Sequence, residues 1–262
     1  MATRTPGLVD WRNLDNTLGQ DCLRIASYNI HRCVGRDGRA DPGRVAQVIL
    51  ELGCDAVGLQ EVDNLADGHH ESMQLDYLAR ATGMAAHAGH TIVRHEGSFG
   101  NALLTRRPVL AVQRYDLCYG RREARGALAV DLAVEDECVR VIVTHLGLRP
   151  AERRYQVRRM LQLLHDLPAD RKVIVLGDIN EWLPLGRPLR WLHGMLGHSP
   201  AERSFPSGLP MFALDRVWVR PRHTLLAFST HRSPLARVAS DHLPVKAIVA
   251  ATAPPASVLH EG

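Results

Sequence analysis

K-V-I-V-L-G-D-I-N, residues 172–180, decides how this chain is to be read. Val173 to Leu176 form an unbroken apolar run that predicts a buried strand. Gly177 then permits a close approach of backbones. Asp178 leaves that strand as a carboxylate, which is costly without a partner, and Asn180 follows two residues later.

The same arrangement recurs along the chain. L-R-I-A-S-Y-N (23–29) ends at Asn29, with His31 just beyond. A-V-G-L-Q-E (56–61) ends at Glu61, and V-I-V-T-H (141–145) ends at His145. L-D-R-V-W-V (214–219) begins with Asp215 near its start, and S-D-H-L-P-V-K-A-I-V (240–249) places Asp241 and His242 at the mouth of a strand entered through Pro244. Singly, each has an ordinary reading: Glu61 as a solvated strand end, His145 as a satisfied core histidine, Asn29 and Asn180 as turn residues, Asp241-His242 as a polar turn. Those readings do not explain why one pattern repeats. Strand ends projecting from a packed core are rigid mounts for a functional constellation.

The remaining pattern alternates short β-rich runs with helical stretches. Strands are expected at 23–30, 55–62, 101–107, 127–134, 139–146, 172–179, 214–220 and 244–250. Helices are expected at 42–52, with Asp41 as N-cap before Pro42, at 72–82 and at 151–167. In the last, Val157, Leu161 and Leu164 define an apolar stripe, while Arg153, Arg154, Arg158 and Arg159 crowd the side expected to be exposed. Many strands with few helices imply an α+β fold, two packed sheets flanked by helices rather than one doubly wound sheet.

The 262 residues include 45% hydrophobic residues and carry a formal charge of +4, a mild basicity that is weak evidence for an anionic partner. Five scattered cysteines, with no C-x-x-C spacing, fit a reducing compartment better than a disulfide framework or zinc site. The amino terminus lacks the apolar core of a signal peptide, and no run is long enough to span a membrane. The expectation is a cytoplasmic, monomeric protein. Residues 1–20 are expected to form a flexible extension, 21–251 a single domain and 252–262 a flexible tail.

The residue types point to phosphate ester chemistry. Glu61 and Asp241 are hard oxygen ligands suited to Mg²⁺ or Mn²⁺. Asp178 can orient or deprotonate a water, and Asn29 and Asn180 can hold metal-bound water or a phosphate oxygen. Asp215 with His242 can form a carboxylate-oriented imidazole, and His145 adds a donor to phosphate.

In order along the chain, Y-N-I-H, L-Q-E-V, G-N-A-L-L-T-R, T-H-L-G, G-D-I-N, L-D-R-V and S-D-H-L-P-V resemble the endonuclease/exonuclease/phosphatase (DNase I-like) superfamily over about residues 22–250. The resemblance implies a four-layered α/β/β/α sandwich and divalent-metal-dependent phosphoester cleavage, with one or two Mg²⁺ or Mn²⁺ ions. It implies Glu61 as metal ligand with Asn29 and Asp241 beside it. Asp178 and Asn180 then position water and phosphate, Asp215 pairs with His242, and His145 is catalytic. Either His242 or Asp178 is the general base. Asn101, Arg125 and His31 are assigned to phosphate or substrate contact. His31 stands where abasic-site repair enzymes often carry an acid, and T-H-L-G-L-R-P-A-E-R-R-Y-Q departs from them too. Both features are more similar to small bacterial sphingomyelinase-like phosphodiesterases. The resemblance therefore favours a phospholipid or other small phosphodiester substrate and peripheral contact with an anionic membrane. A DNA or RNA endonuclease is the alternative, and a non-catalytic phosphate-binding module needs fewer of these residues.

Overall fold

A computed structural model describes residues 22–65 and 73–251. The expected extension and tail, and Ser72 of an expected helix, lie outside the described residues. In chain order the elements are β1 (Cys22–Asn29), α1 (Pro42–Leu52), β2 (Ala56–Leu65), α2 (Gln74–Thr82), β3 (Ala85–Arg94), β4 (Gly97–Thr105), β5 (Val109–Asp116), β6 (Gly126–Val134), β7 (Glu137–His145), α3 (Pro150–His165), β8 (Lys172–Asp178), α4 (Arg187–Leu196), β9 (Asp215–Arg220), β10 (Leu225–Thr230), α5 (Ala236–Ala239) and β11 (Val245–Ala250).

Each of two mixed sheets contains one parallel pair. β1 and β2 run parallel through the α1 crossover, and β7 and β8 through α3, because parallel neighbours need a long connection. The first sheet has the order β10-β11-β1-β2-β4-β3 and the second β5-β6-β7-β8-β9. Ile25 and Leu103 of the first sheet meet Leu128, Val141, Val143, Ile174, Leu176 and Val217 of the second in the central core. Outside the first sheet, Val45 and Ile49 of α1 and Leu78 of α2 cover Ala26, Tyr28, Val57 and Leu59. Outside the second, Val157, Met160 and Leu164 of α3 and Leu189 and Leu192 of α4 cover Ile142, Val173, Val175 and Trp218. This is the α/β/β/α sandwich. Its central strands are buried on both faces, so they read as continuous apolar runs.

Helix α1 starts and stops by local chemistry. The Asp41 carboxylate accepts the Arg44 N–H at 2.8 Å, Pro42 occupies the first turn, and Gly53 closes the helix at φ 59°.

The structure corrects several expectations. β3, β5, β10, α4 and α5 were not expected. β2 runs three residues further than expected, through a register break between Leu59 and Val62. Arg153, expected on the exposed side of α3, is buried, because its guanidinium donates to the Glu181 carboxylate at 3.2 Å and to the Leu148 carbonyl at 2.7 Å. Leu161 is only partly buried, and Met160 completes the stripe. Among the described residues no helix is long and apolar enough to cross a membrane.

Candidate active site

The topology gathers the polar strand ends at one edge. Asn29 closes β1 and Glu61 lies in β2, and His145 and Asp178 close β7 and β8. β9 runs antiparallel to β8, so Asp215 at its start stands opposite Asp178, which in turn is opposite His145. β11 runs antiparallel to β1, so the preceding Asp241 and His242 arrive at the same edge. Gly177, at φ 149°, lets β8 sit tightly on β7, since a Cβ there would collide with the Thr144 carbonyl.

Two of these side chains sit on left-handed backbone. Glu61 has φ 58° within the register break of β2, and Asn180 has φ 52°. Asn tolerates this region. For Glu61 the conformation costs about 1 kcal/mol or more, a strain that aims its side chain inward from the sheet.

Asn29 is the junction. Its amide nitrogen donates to Glu61 Oε1 and to Asp178 Oδ2, each at 3.1 Å. Asp178 Oδ2 also lies 3.5 Å from His145 Nε2 and 3.6 Å from His242 Nε2. His242 Nδ1 is 2.8 Å from Asp215 Oδ2. Asp178 Oδ1 accepts the Asn180 N–H at 2.9 Å. The sequence expectation that Asp215 pairs with His242 thus corresponds to a direct hydrogen bond.

Hydrogen-bond logic fixes His145. Arg125 Nη1 lies 2.7 Å from His145 Nδ1, and a guanidinium can only donate. Nδ1 therefore carries the lone pair and Nε2 the proton. The Asn180 amide nitrogen lies 3.0 Å from Nε2 and 2.9 Å from the Leu146 carbonyl, and that carbonyl fixes the nitrogen as a donor. Two donors, the Nε2–H and an Asn180 N–H, therefore face the same space beside Asp178.

Electrostatics reinforce this. Burial, with the charges of Arg125 and His242, drives His145 well below the ordinary histidine range and keeps it neutral. Burial also disfavours a charged His242, but Asp215 and Asp178 outweigh it and hold the imidazole as a cation. Burial raises Asp178 above the ordinary carboxylate range, and Asp215 adds to the rise, against the opposing charge of His242. The result is an imidazolium held between two buried carboxylates.

The other expected residues take different places. Asp241 is half-buried on the His31 side, its Oδ1 3.9 Å from His31 Nδ1. His31 Nδ1 donates to the Val34 carbonyl at 3.0 Å. Asn101 lies one step back: its amide nitrogen donates to the carbonyl of Gly126, next to Arg125, at 3.0 Å. Asp178, Asp215 and His242 offer atoms all within 4.8 Å of one another. Asp215 Oδ2 is already engaged, however, accepting from His242 and from Ser204 Oγ at 2.6 Å. The Glu61 and Asp241 carboxylates are less enclosed, and the Asn29 side-chain oxygen accepts the His31 N–H at 3.1 Å.

Sequence reasoning missed the residues that hold this constellation. Ser204 anchors Asp215. Ser240 Oγ donates to the Asn29 carbonyl at 2.7 Å and accepts the His242 N–H at 3.2 Å, tying β1 to the S-D-H turn. Phe205 packs on the His242 ring at 4.7 Å. Ser240 opens the quoted S-D-H-L-P-V motif and Glu181 adjoins G-D-I-N, whereas Ser204 and Phe205 carry no signal in the sequence.

A model of the endonuclease/exonuclease/phosphatase family matches residues 26–242, a span that encloses every residue of this constellation. The chain is 27% identical over 248 residues to YbhP of Escherichia coli (strain K12), covering 87% of this chain and 96% of that protein. The endonuclease/exonuclease/phosphatase of Beutenbergia cavernae DSM 12333 superposes with a TM-score of 0.70 at 22% identity, over 91% of this chain and 76% of that one. The mannosyl-6-phosphatase Bt3783 of Bacteroides thetaiotaomicron VPI-5482 does so with 0.68 at 16% identity, over 87% and 99%. Members of the matched family typically use divalent metal ions. The chain belongs to the endonuclease/exonuclease/phosphatase family, a family of phosphoester hydrolases.

Proposed function

We propose that this protein is a divalent-metal-dependent phosphodiesterase that hydrolyses a phospholipid or another small phosphodiester by in-line attack of water. The observation that carries the reading is the pair of facing donors, His145 Nε2–H and the Asn180 amide, next to the buried carboxylate of Asp178. Two donors cannot bond each other. A phosphate oxygen satisfies both.

From that anchor the roles follow by hydrogen-bond capacity. Asn180 and His145 hold non-bridging oxygens of the phosphate. Asp178 Oδ2, held by the Asn29 amide, is the acceptor that orients the attacking water and takes its proton. His242 gives its Nδ1–H to Asp215, so its Nε2–H is the proton it can donate as charge builds on the phosphate or leaving oxygen. Glu61 and Asp241 have no Lys or Arg partner within 4.0 Å among the described residues. Asn29 turns its nitrogen to Glu61 and its oxygen to the His31 N–H, so the set is the two carboxylates, whose hard oxygens fit a hard cation. They would hold Mg²⁺ or Mn²⁺, and the bound ion would withdraw charge from the phosphate.

Hydrolysis of bis(p-nitrophenyl) phosphate with Mg²⁺ or Mn²⁺, abolished by EDTA and restored by the cation, is the expected result. Absence of turnover with either ion overturns the proposal. Sphingomyelin, cardiolipin, phosphatidylglycerol, RNA and supercoiled plasmid, compared at equal enzyme, assign the ester. Plasmid nicking at the lowest enzyme, weakening steeply with salt, would make the protein a nuclease instead.

A further inference from the structure

Two surface segments beside His242 contain no ionisable residue: W-L-P-L-G (182–186) after β8, and S-F-P-S-G-L-P-M-F-A-L (204–214) before β9. Polar residues ordinarily dominate loops at a site mouth. Here Trp182 is 41% exposed, Leu183 67%, Leu185 82%, Leu209 72% and Met211 53%. Ring contacts join the two segments into one surface. Trp182 meets Phe212 at 4.7 Å and Phe205 at 5.6 Å, and Phe205 in turn packs on His242. A contiguous exposed apolar surface on a hydrolase marks an interaction site.

Its border is basic. The Arg36 guanidinium lies against Gly208, leaving no space there for a Cβ. Arg237 donates to the Gly208 carbonyl at 3.3 Å, and Arg187 follows the first segment directly. None of the three has a carboxylate within 4.0 Å among the described residues, and neighbouring Asp37 is bound to Arg44. An apolar centre with a cationic border matches the interface of an anionic bilayer, where side chains enter the acyl boundary and arginines meet headgroup phosphates.

We infer that segments 182–186 and 204–214 form a docking surface for an anionic phospholipid bilayer and bring the reacting centre to the headgroup plane. This deepens the phosphodiesterase reading and rests on it for the ester cleaved. Docking itself is measured without turnover. Leu185 and Leu209 enter the acyl boundary, Trp182 sits at the interface, and Arg36, Arg187 and Arg237 select negative lipid.

Co-sedimentation with phosphatidylglycerol and with phosphatidylcholine vesicles, in EDTA to prevent hydrolysis, tests this. The full chain is expected to bind phosphatidylglycerol vesicles at least tenfold more tightly, with a blue shift of tryptophan emission that Trp182→Phe removes. Leu185→Asp/Leu209→Asp is expected to lose at least tenfold in vesicle affinity, since burying one leucine is worth about that factor. Arg36→Glu/Arg237→Glu is expected to lose the preference for negative lipid. Unchanged thermal melting shows that the variants are folded, and Leu185→Ser/Leu209→Ser replaces the aspartate pair if it is not. No vesicle binding by the unaltered chain, or undiminished binding by a folded leucine variant, overturns the inference. A dimer in sedimentation equilibrium that the leucine variant dissociates overturns it too, making this surface a self-interface. Failure of the phosphodiesterase assay alongside vesicle binding would instead remove only the hydrolytic reading.

Discussion

Asp178 is buried at the end of a strand, ringed by donors and faced by the carboxylate of Asp215. Asn29, the Asn180 N–H and two imidazoles surround it. A carboxylate kept only for stability would not be placed where burial raises its pKa. Asp178→Asn is isosteric but cannot accept the proton of water, and His242→Ala removes the Nε2–H donor. Each is expected to lower kcat about a hundredfold or more with circular dichroism near that of the parent. Asp178→Asn leaves melting near the parent value too, whereas His242→Ala strips the partner from buried Asp215 and lowers it. Normal turnover by both would remove the roles assigned to them. Asp178 was legible in the sequence because a charged group directly after an apolar run is costly unless it is used, and His242 because its Asp-His pair stands at a strand mouth as the other polar residues stand at strand ends. Ser204 was not, since only the fold brings it to Asp215, and a serine in a loop carries no cost that draws notice.

At the level of elements, the loop after β7 and the loop after β8 are fastened together behind the catalytic groups. Arg153, in the first turn of α3, donates to Glu181 and to the Leu148 carbonyl. Gln156 accepts the Gly147 N–H at 2.8 Å. Glu181 directly follows Asn180, and Gly147 lies two residues past His145. The pair therefore sets how the two facing donors meet. Breaking a buried ion pair on one side typically costs about 3–5 kcal/mol. Glu181→Gln or Arg153→Met is accordingly expected to lower both Tm and kcat. Replacing both partners, Arg153→Met/Glu181→Leu, removes the unpaired charge and is expected to recover most of the Tm while kcat stays at least tenfold down. A double variant with full kcat would make the bracket purely structural. Read as a sequence, α3 gave Val157 and Leu164 of its apolar stripe but took Leu161 where Met160 is the buried residue. It also placed Arg153 outside, because burial of an arginine depends on Glu181 in another element. The strands that escaped sequence reading have one physical trait. β3 and β10 edge the first sheet and β5 edges the second. β3 and β5 are largely half-exposed and lack long apolar runs, whereas the central strands, covered on both faces, announced themselves.

Across the whole molecule, the two sheets contribute different halves of the site. Asn29, Glu61, Asp241 and His242 come from the first sheet and its flanks. His145, Asp178, Asn180 and Asp215 come from the second. The halves meet through the bond of Asn29 to Asp178 and that of His242 to Asp215, so the constellation exists only while the sheets are packed. It also concentrates negative charge: Glu61 and Asp178 approach a single amide nitrogen from two sides. A cation held by Glu61 and Asp241 would bind the folded chain alone and so stabilise it, by about 2.7 kcal/mol at a hundred times its dissociation constant. Mg²⁺ or Mn²⁺ is therefore expected to raise the Tm of the parent by several degrees in differential scanning calorimetry. Glu61→Gln keeps the bond from Asn29 and removes one of the two carboxylate charges. Without metal its Tm is expected to equal or exceed that of the parent, while the metal-induced rise and the turnover are both lost. A Glu61→Gln variant that retains the full cation-dependent rise would place the ion elsewhere, with the buried group Asp178, Asp215 and His242 the remaining candidate.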